Sequence, residues 1–184
     1  SVELGQRIDI LEENIYQQAG HTFNISSPKQ VGDLLFGTMN IPYRWAKTKQ
    51  GAFSTDEAKL SELALEHTFV QDILDHRSLS KLKSTYVDAL PKMINPTTQR
   101  IHSSFNQALA STGRLSSNNP NLQNIPVRTR EGREIRKAFI PRNSDYILLS
   151  CDYSQIELRL IAELSKDANM VDAFQKGLDI HTAT

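Results

Sequence analysis

The sequence predicts an α-rich α+β fold, and three observations carry that prediction. Apolar residues recur at three-to-four spacing, bracketed by helix start and stop signals, through about residue 90. After Pro91 the texture changes to turn signals and short extended segments. A short apolar run, Tyr146 to Asp152, has the length and composition of a buried strand. The expected architecture is a helical segment over residues 1–90, followed over 91–184 by an incomplete antiparallel sheet with flanking helices.

Each element has its own local reason. Residues 3–19 read as a helix from Leu4, Ile8, Leu11 and Ile15, with Gly20 as the stop. Ser27-Pro28-Lys29-Gln30 is a helix start: a Ser cap, Pro at the first helical position and Gln closing a capping box, with the helix running to about 37. Residues 40–53, with Pro42 and Gly51, read as a loop. Ser54-Thr55-Asp56-Glu57 is a second capping box, opening a helix to about His67. A longer helix is expected over 68–89, carrying Val70, Ile73, Leu74, Leu82 and Tyr86 and ending before Pro91. Beyond it, Ile94 to Gln99 is a turn, Ile101 to Leu115 short extended segments, and Ser116 to Pro126 a polar loop. A short basic helix is expected at 130–137, then the strand at 146–152, then helices at 154–164 and 167–175, the last stopped by Gly177. The chain ends as another helical pattern begins, which points to a piece of something longer.

Composition narrows the class. With 184 residues and 39% hydrophobic content, one or two small domains with a real core are expected, and wholesale disorder is excluded. No apolar run approaches the roughly 20 residues of a membrane helix. Neither an initiator Met nor a signal peptide opens the sequence. A single cysteine, Cys151, excludes a disulfide framework and fits a reducing, cytoplasmic setting. Net charge is zero, but that sum conceals unlike parts. Residues 1–76 carry 6 basic and 11 acidic groups, residues 77–142 carry 12 and 3, and residues 143–184 carry 3 and 7. A middle segment at +9 points to a polyanionic partner, against the plainer reading of a solvated charged surface.

Two sets of residues could carry chemistry. Asp152 stands at the end of the apolar run, before a turn into a helix. A carboxylate there suits a hard cation such as Mg²⁺, which shares oxygen ligands with substrate phosphates. Asp152 or Ser154 could equally cap that helix. A two-metal phosphoryl-transfer site needs at least one further carboxylate, and Glu157 is five residues on. The second set is the basic, amide-rich middle: Arg77, Lys81, Lys83, Arg114, Arg128, Arg130, Arg133, Arg136 and Lys137, interleaved with Asn118, Asn119, Asn121, Gln123 and Asn124. Arg and Lys neutralise phosphates, and Asn, Gln and Arg also hydrogen-bond base edges. Alone, the Asn-rich loop is ordinary turn chemistry; beside the charge block, nucleic-acid contact is the better reading.

These residues also carry a family resemblance. Asp152-Tyr153-Ser154-Gln155-Ile156-Glu157-Leu158-Arg159 resembles motif A of the family A (DNA polymerase I-like) DNA polymerases. Thr112-Gly113-Arg114-Leu115-Ser116-Ser117 with Pro120-Asn121-Leu122-Gln123-Asn124-Ile125-Pro126 resembles that family's stretch along primer-template near the primer terminus. Leu79 to Tyr86 resembles the passage from thumb toward palm, and Asp179-Ile180-His181 the start of the fingers. The resemblance runs in family order over about residues 25–184.

The resemblance implies a helical thumb at 1–90 and a partial palm at 91–184. Asp152 would be one of two catalytic, metal-binding aspartates, and the Tyr153 backbone carbonyl would help hold the second of two Mg²⁺ ions. Glu157 would be a steric gate against a ribose 2′-hydroxyl. Tyr153, Gln155, Glu157, Arg128 and His181 would face the incoming dNTP. Arg114, Asn121, Gln123 and Asn124 would follow the minor groove and primer end of duplex DNA, and Lys81 and Lys83 its backbone. The family's second catalytic aspartate has no counterpart in these 184 residues, so the chain alone is expected to be inactive, and an exposed palm edge could pair copies without biological meaning. Two other readings stay open. One is a non-catalytic nucleic-acid-binding module; the other, a single-subunit RNA polymerase relative, is disfavoured by Glu157.

Overall fold

The computed structural model describes residues 2–178. The chain divides into two compact units, Ser1–Phe139 and Ile140–Thr184. Residues 91–139 thus group with the helices that precede them. Among the described residues the elements are mostly helical, with one two-stranded antiparallel sheet, as an α-rich α+β class requires.

In the first unit, α1 spans Val2–Ala19 and ends at Gly20, whose φ of 76° lies in the left-handed region that a helix stop favours. Helix α2 (Pro28–Gly32) starts on Ser27, which accepts the Gln30 N–H. The Gln30 side chain does not return to its own cap, as a capping box would require. It accepts from the Asn24 N–H at 2.7 Å and ties down the approach loop instead. The helix then widens into a π-helical turn, Asp33–Thr38. Helix α3 (Glu57–Ala64) is capped by Asp56 rather than Ser54; the Ser54 hydroxyl donates to the Asp56 carboxylate, which accepts the Lys59 N–H. The Lys59 ammonium, 2.6 Å away, is the main reason the Asp56 carboxyl is held down at about 2.

Helix α4 (Thr68–Leu82) stops seven residues short of the expected 89. A π-helical turn follows at Lys83–Val87, then a 3₁₀ turn at Leu90–Met93. The Asp88 N–H reaches the Lys83 carbonyl at 2.9 Å, five residues back, and the Lys83 ammonium meets the Asp88 carboxylate at 2.6 Å across the same turn. The widened turn keeps Tyr86 on the buried side. Strands β1 (Ser104–Asn106) and β2 (Ser116–Asn118) pair antiparallel with Phe105 opposite Ser117. Strand β2 therefore occupies the start of the expected polar loop. Helix α5 spans Arg130–Arg136, close to expectation.

Two apolar clusters hold this unit. Ile15, Val31, Leu35, Leu60, Leu63, Val70 and Ile73 are fully buried where α1, α2, α3 and α4 meet. Each such side chain contributes about 1.5–3 kcal/mol on burial. The expected plain loop at 40–53 extends that core: Phe36, Tyr43, Trp45 and Phe53 form a chain of mostly edge-on rings with centroids 4.7–5.5 Å apart. Arg77, half-buried on α4, donates to the Ile25 carbonyl at 3.2 Å and the Thr55 carbonyl at 2.9 Å, fastening both loops. His76, buried against α1 with Nε2 4.0 Å from Glu12, has its pKa pushed down, chiefly by burial. The second cluster, Leu82, Tyr86, Leu90 and Ile125, packs the end of α4 onto the loop before α5.

The second unit holds α6 (Ile156–Ser165) and α7 (Ala168–Gln175). Asp167 caps α7 by accepting the Met170 N–H at 2.9 Å. Gly177, φ 69°, follows it. The apolar run at 146–152 is not a buried strand. Tyr146, Ile147, Leu148 and Leu149 are 53–83% exposed and irregular in backbone. A strand exists only through a ladder partner, and among the described residues none lies beside this segment.

Candidate nucleic-acid and nucleotide site

The minor-groove loop expected at 116–126 is built from the inside out. Ser117 is 2% exposed, and its hydroxyl accepts the Leu122 N–H at 3.1 Å and lies 2.9 Å from the Ser103 hydroxyl. Gln123 bridges the loop's two arms: its Oε1 accepts the Ser117 N–H at 2.8 Å and its Nε2 donates to the Leu115 carbonyl at 2.9 Å. Tyr86 donates its hydroxyl to the Asn124 carbonyl at 2.5 Å, joining the end of α4 to the same loop. Asn121 caps a tight turn by accepting the Gln123 N–H. The side chains of Asn121, Asn124 and Arg114 are exposed on this surface. Sequence reasoning missed Tyr86 as an anchor. Its signal was the Leu82, Tyr86, Leu90 spacing, continued into a loop that carries its own apolar Ile125.

The basic block does two jobs. Lys81 is exposed, beside a depression of about 560 Å³ lined also by Ser26, Ser80 and Ser84. Arg128 is exposed just before α5. Other cations of the block serve the fold. Lys83 is half-buried and paired with Asp88. Arg133 donates to the Arg128 carbonyl at 2.9 Å, and Arg136 donates to the Ile125 and Pro126 carbonyls at 3.2 and 3.3 Å. Lys137 pairs with Glu134 at 2.6 Å.

In the second unit, Asp152 and Tyr153 lie on the exposed turn that enters α6, with Tyr153 80% exposed. Neither Asp152 nor Ser154 caps α6. The position before that helix is Gln155, in left-handed conformation at φ 54° and without a side-chain cap bond. Glu157 lies in the helix's first turn, where a carboxylate is favoured by the exposed N–H groups. Among the described residues no hydrogen bond or ion pair engages the Asp152 carboxylate, and no group of three or more His, Cys, Asp or Glu side chains converges. The donors at hand, the Asp152 carboxylate and the Tyr153 carbonyl, are hard oxygens and fit Mg²⁺ in kind. They would supply only part of the shell of such an ion, whose other positions are commonly filled by water and phosphate oxygens. His181 lies outside the described residues.

The first unit thus presents Arg114, Asn121 and Asn124 to solvent, and the second presents Asp152 and Glu157 at a helix entrance. The comparisons with known proteins give the family. The family model for DNA polymerase family A matches residues 1–184. The DNA polymerase I of Chloroflexus aurantiacus is 56% identical over 182 residues, covering 97% of this chain and 19% of that protein. That of Geobacillus stearothermophilus is 50% identical over 182 residues, covering 99% and 20%. The solved POL domain of Pol1 from M. smegmatis, in complex with DNA primer-template and dNTP, superposes with a TM-score of 0.88 at 42% identity, over 99% of this chain and 32% of that one. The chain belongs to DNA polymerase family A. It spans about a fifth of the length of these curated relatives. No described helix is long and apolar enough to cross a membrane.

Proposed function

We propose that this chain is the thumb (1–90) and part of the palm (91–184) of a template-directed DNA polymerase, joining a primer 3′-hydroxyl to the α-phosphorus of a dNTP. The observation that carries this reading is the whole-chain match at 42% identity to a POL domain solved with primer-template and dNTP. The exposed face of the 116–126 loop, with Arg114, Asn121 and Asn124, follows the primer-template minor groove. Gln123 shapes that loop through its two backbone bonds. Lys81 meets backbone phosphate; Lys83, paired with Asp88, contributes less than its charge implies.

Asp152 and the Tyr153 carbonyl hold Mg²⁺ on this reading. Ions held there would supply a lowered pKa for the primer hydroxyl and charge neutralisation for the leaving pyrophosphate. Arg128, Gln155 and His181 bind the dNTP. Glu157 fills the space a 2′-hydroxyl needs, so that a ribonucleotide is rejected by an occupied pocket.

Primer extension by the polymerase that contains this segment tests the reading. Glu157→Ala is expected to raise ribonucleotide incorporation about tenfold or more, with deoxynucleotide extension retained, since one displaced group is worth about 1–3 kcal/mol of discrimination. Unchanged discrimination removes the gate assignment, and absence of templated extension in the unsubstituted protein removes the function.

The exposed apolar run Tyr146–Leu149 further supports adventitious pairing of copies of the isolated chain. Sedimentation of the 184-residue chain is expected to show a concentration-dependent dimer that Leu149→Lys abolishes. A monomer at every concentration defeats it.

A further inference from the structure

Arg159, the last residue of the Asp152–Arg159 motif, ties the turn before α6 to α7. Its Nε donates to the Ser154 carbonyl at 2.9 Å, five residues back and outside the helix. Its guanidinium carbon sits 4.6 Å above the centre of the Phe174 ring, on α7. The ring contact and the Nε–H bond hold the guanidinium at two points. Arginine is suited to this because its planar fork both stacks and donates; a lysine ammonium does neither in a fixed direction.

The carbonyl it holds belongs to an unusual helix entrance. Gln155 is left-handed, at φ 54°, and gives α6 no side-chain cap. A left-handed non-glycine residue carries backbone strain that surrounding contacts must offset. The Arg159 bond lands on the peptide group directly before it. That peptide joins Ser154 to Gln155, one residue beyond the Tyr153 carbonyl and two beyond the Asp152 carboxylate. Upstream, the backbone at 147–153 is irregular and its side chains exposed.

We propose that Arg159, braced on Phe174, is a positioning residue: it sets the turn on which Asp152 and the Tyr153 carbonyl are presented to the metal. The inference rests on the two-metal reading given above and adds the group that aims its ligands. Residues that orient ligands without touching the ion are worth about 10–100-fold in metal affinity or activity.

The test uses the polymerase that contains this segment, unsubstituted and as Arg159→Lys and Phe174→Leu, with Mn²⁺ as the metal probe. Arg159→Lys is expected to weaken Mn²⁺ binding, read by electron paramagnetic resonance without substrate, by about tenfold and to lower kcat by a similar factor. The affinity for duplex DNA stays within about twofold, because Arg159 acts on the turn and not on the loop that follows the duplex. Phe174→Leu, which keeps an apolar side chain and removes the ring face, shifts both readouts in the same direction by about threefold. Its mildness keeps the question decidable if Arg159→Lys fails to fold. Mn²⁺ affinity and kcat unchanged in the folded variants overturn the inference, as does a fall in Tm with Mn²⁺ affinity unchanged. If the unsubstituted polymerase neither binds Mn²⁺ nor extends a primer, the two-metal reading itself fails; if it does both and the variants match it, only the role of Arg159 fails.

Discussion

Replacing Asp152 with alanine in the polymerase that contains this segment is expected to lower the primer-extension rate by on the order of a thousandfold, with duplex affinity and stability almost unchanged. The factor follows from what the carboxylate does on the proposed reading. Metal-ion stabilisation of developing charge is worth several kcal/mol, and each 1.4 kcal/mol is about a factor of ten in rate. Asp152→Asn discriminates further. The amide keeps the shape but loses the charge that holds a divalent cation, so it should fall nearly as far as alanine. A helix-capping role predicts the reverse, because asparagine caps as well as aspartate. The structure makes the comparison clean. Asp152 is exposed, no described residue bonds to its carboxylate, and the helix after it is entered through Gln155. Substitutions at such positions usually stay within about 0.5 kcal/mol. A rate within tenfold of the unsubstituted enzyme for Asp152→Ala would remove the aspartate from the chemistry.

How much of this was legible in the residues depends on the range of the interaction. Helices α1, α5, α6 and α7 were readable because their signals are local, such as the apolar stripe of α1 and the stop glycines after α1 and α7. The ends of α2 and α4 were not. Each widens into a π-turn that swings an aromatic or aliphatic side chain into a core built from distant segments, and no i-to-i+4 pattern encodes that. The 146–152 run failed for a related reason. Its apolar composition is real, but a strand is a property of two segments and composition reports on one. The charge block is the most instructive case. Its +9 is real as a count, yet Arg77, Lys83, Arg133, Arg136 and Lys137 are bonded to backbone carbonyls or to carboxylates of the same unit. Charge counting cannot separate a cation that holds a loop from one that waits for a phosphate. Gln123 shows the same ambiguity for amides. The Asp152 turn was legible only as a motif; why it holds its shape required Arg159 and Phe174, fifteen residues apart.

Gly132→Ala should destabilise the first unit, although alanine is the better helix former. In α5 the substitution alone would favour folding by about 0.5–1 kcal/mol through helix propensity. Packing reverses the sign. An added Cβ at residue 132 would sit 2.5 Å from the Pro126 carbonyl oxygen, 2.7 Å from its Cβ and 2.9 Å from its carbonyl carbon. These are mostly backbone atoms, so no flexible side chain can swing clear. The same carbonyl accepts the Arg136 Nε–H, and the preceding Ile125 is 8% exposed in the cluster with Leu82, Tyr86 and Leu90. Moving Pro126 aside therefore disturbs two Arg136 bonds and a buried isoleucine together. Overpacking of this kind costs about 1–3 kcal/mol, which leaves a net loss of about 1–2 kcal/mol after the propensity gain. For a unit of this size the Tm should fall by about 3–8 °C. Gly5→Ala is the matched control. It too lies inside a helix, but its added Cβ would meet only the Lys83 side chain, at an ordinary 3.7 Å. That variant should gain stability by about 0.5–1 kcal/mol. Opposite signs in thermal melts of the two variants follow from the close approach of α5 to Pro126, and a gain in both would mean that approach is absent. The loop at stake carries Gln123, Asn124 and Arg128. A polymerase with Gly132→Ala should therefore also bind primer-template more weakly at temperatures where it is still folded, while Gly5→Ala leaves that affinity alone.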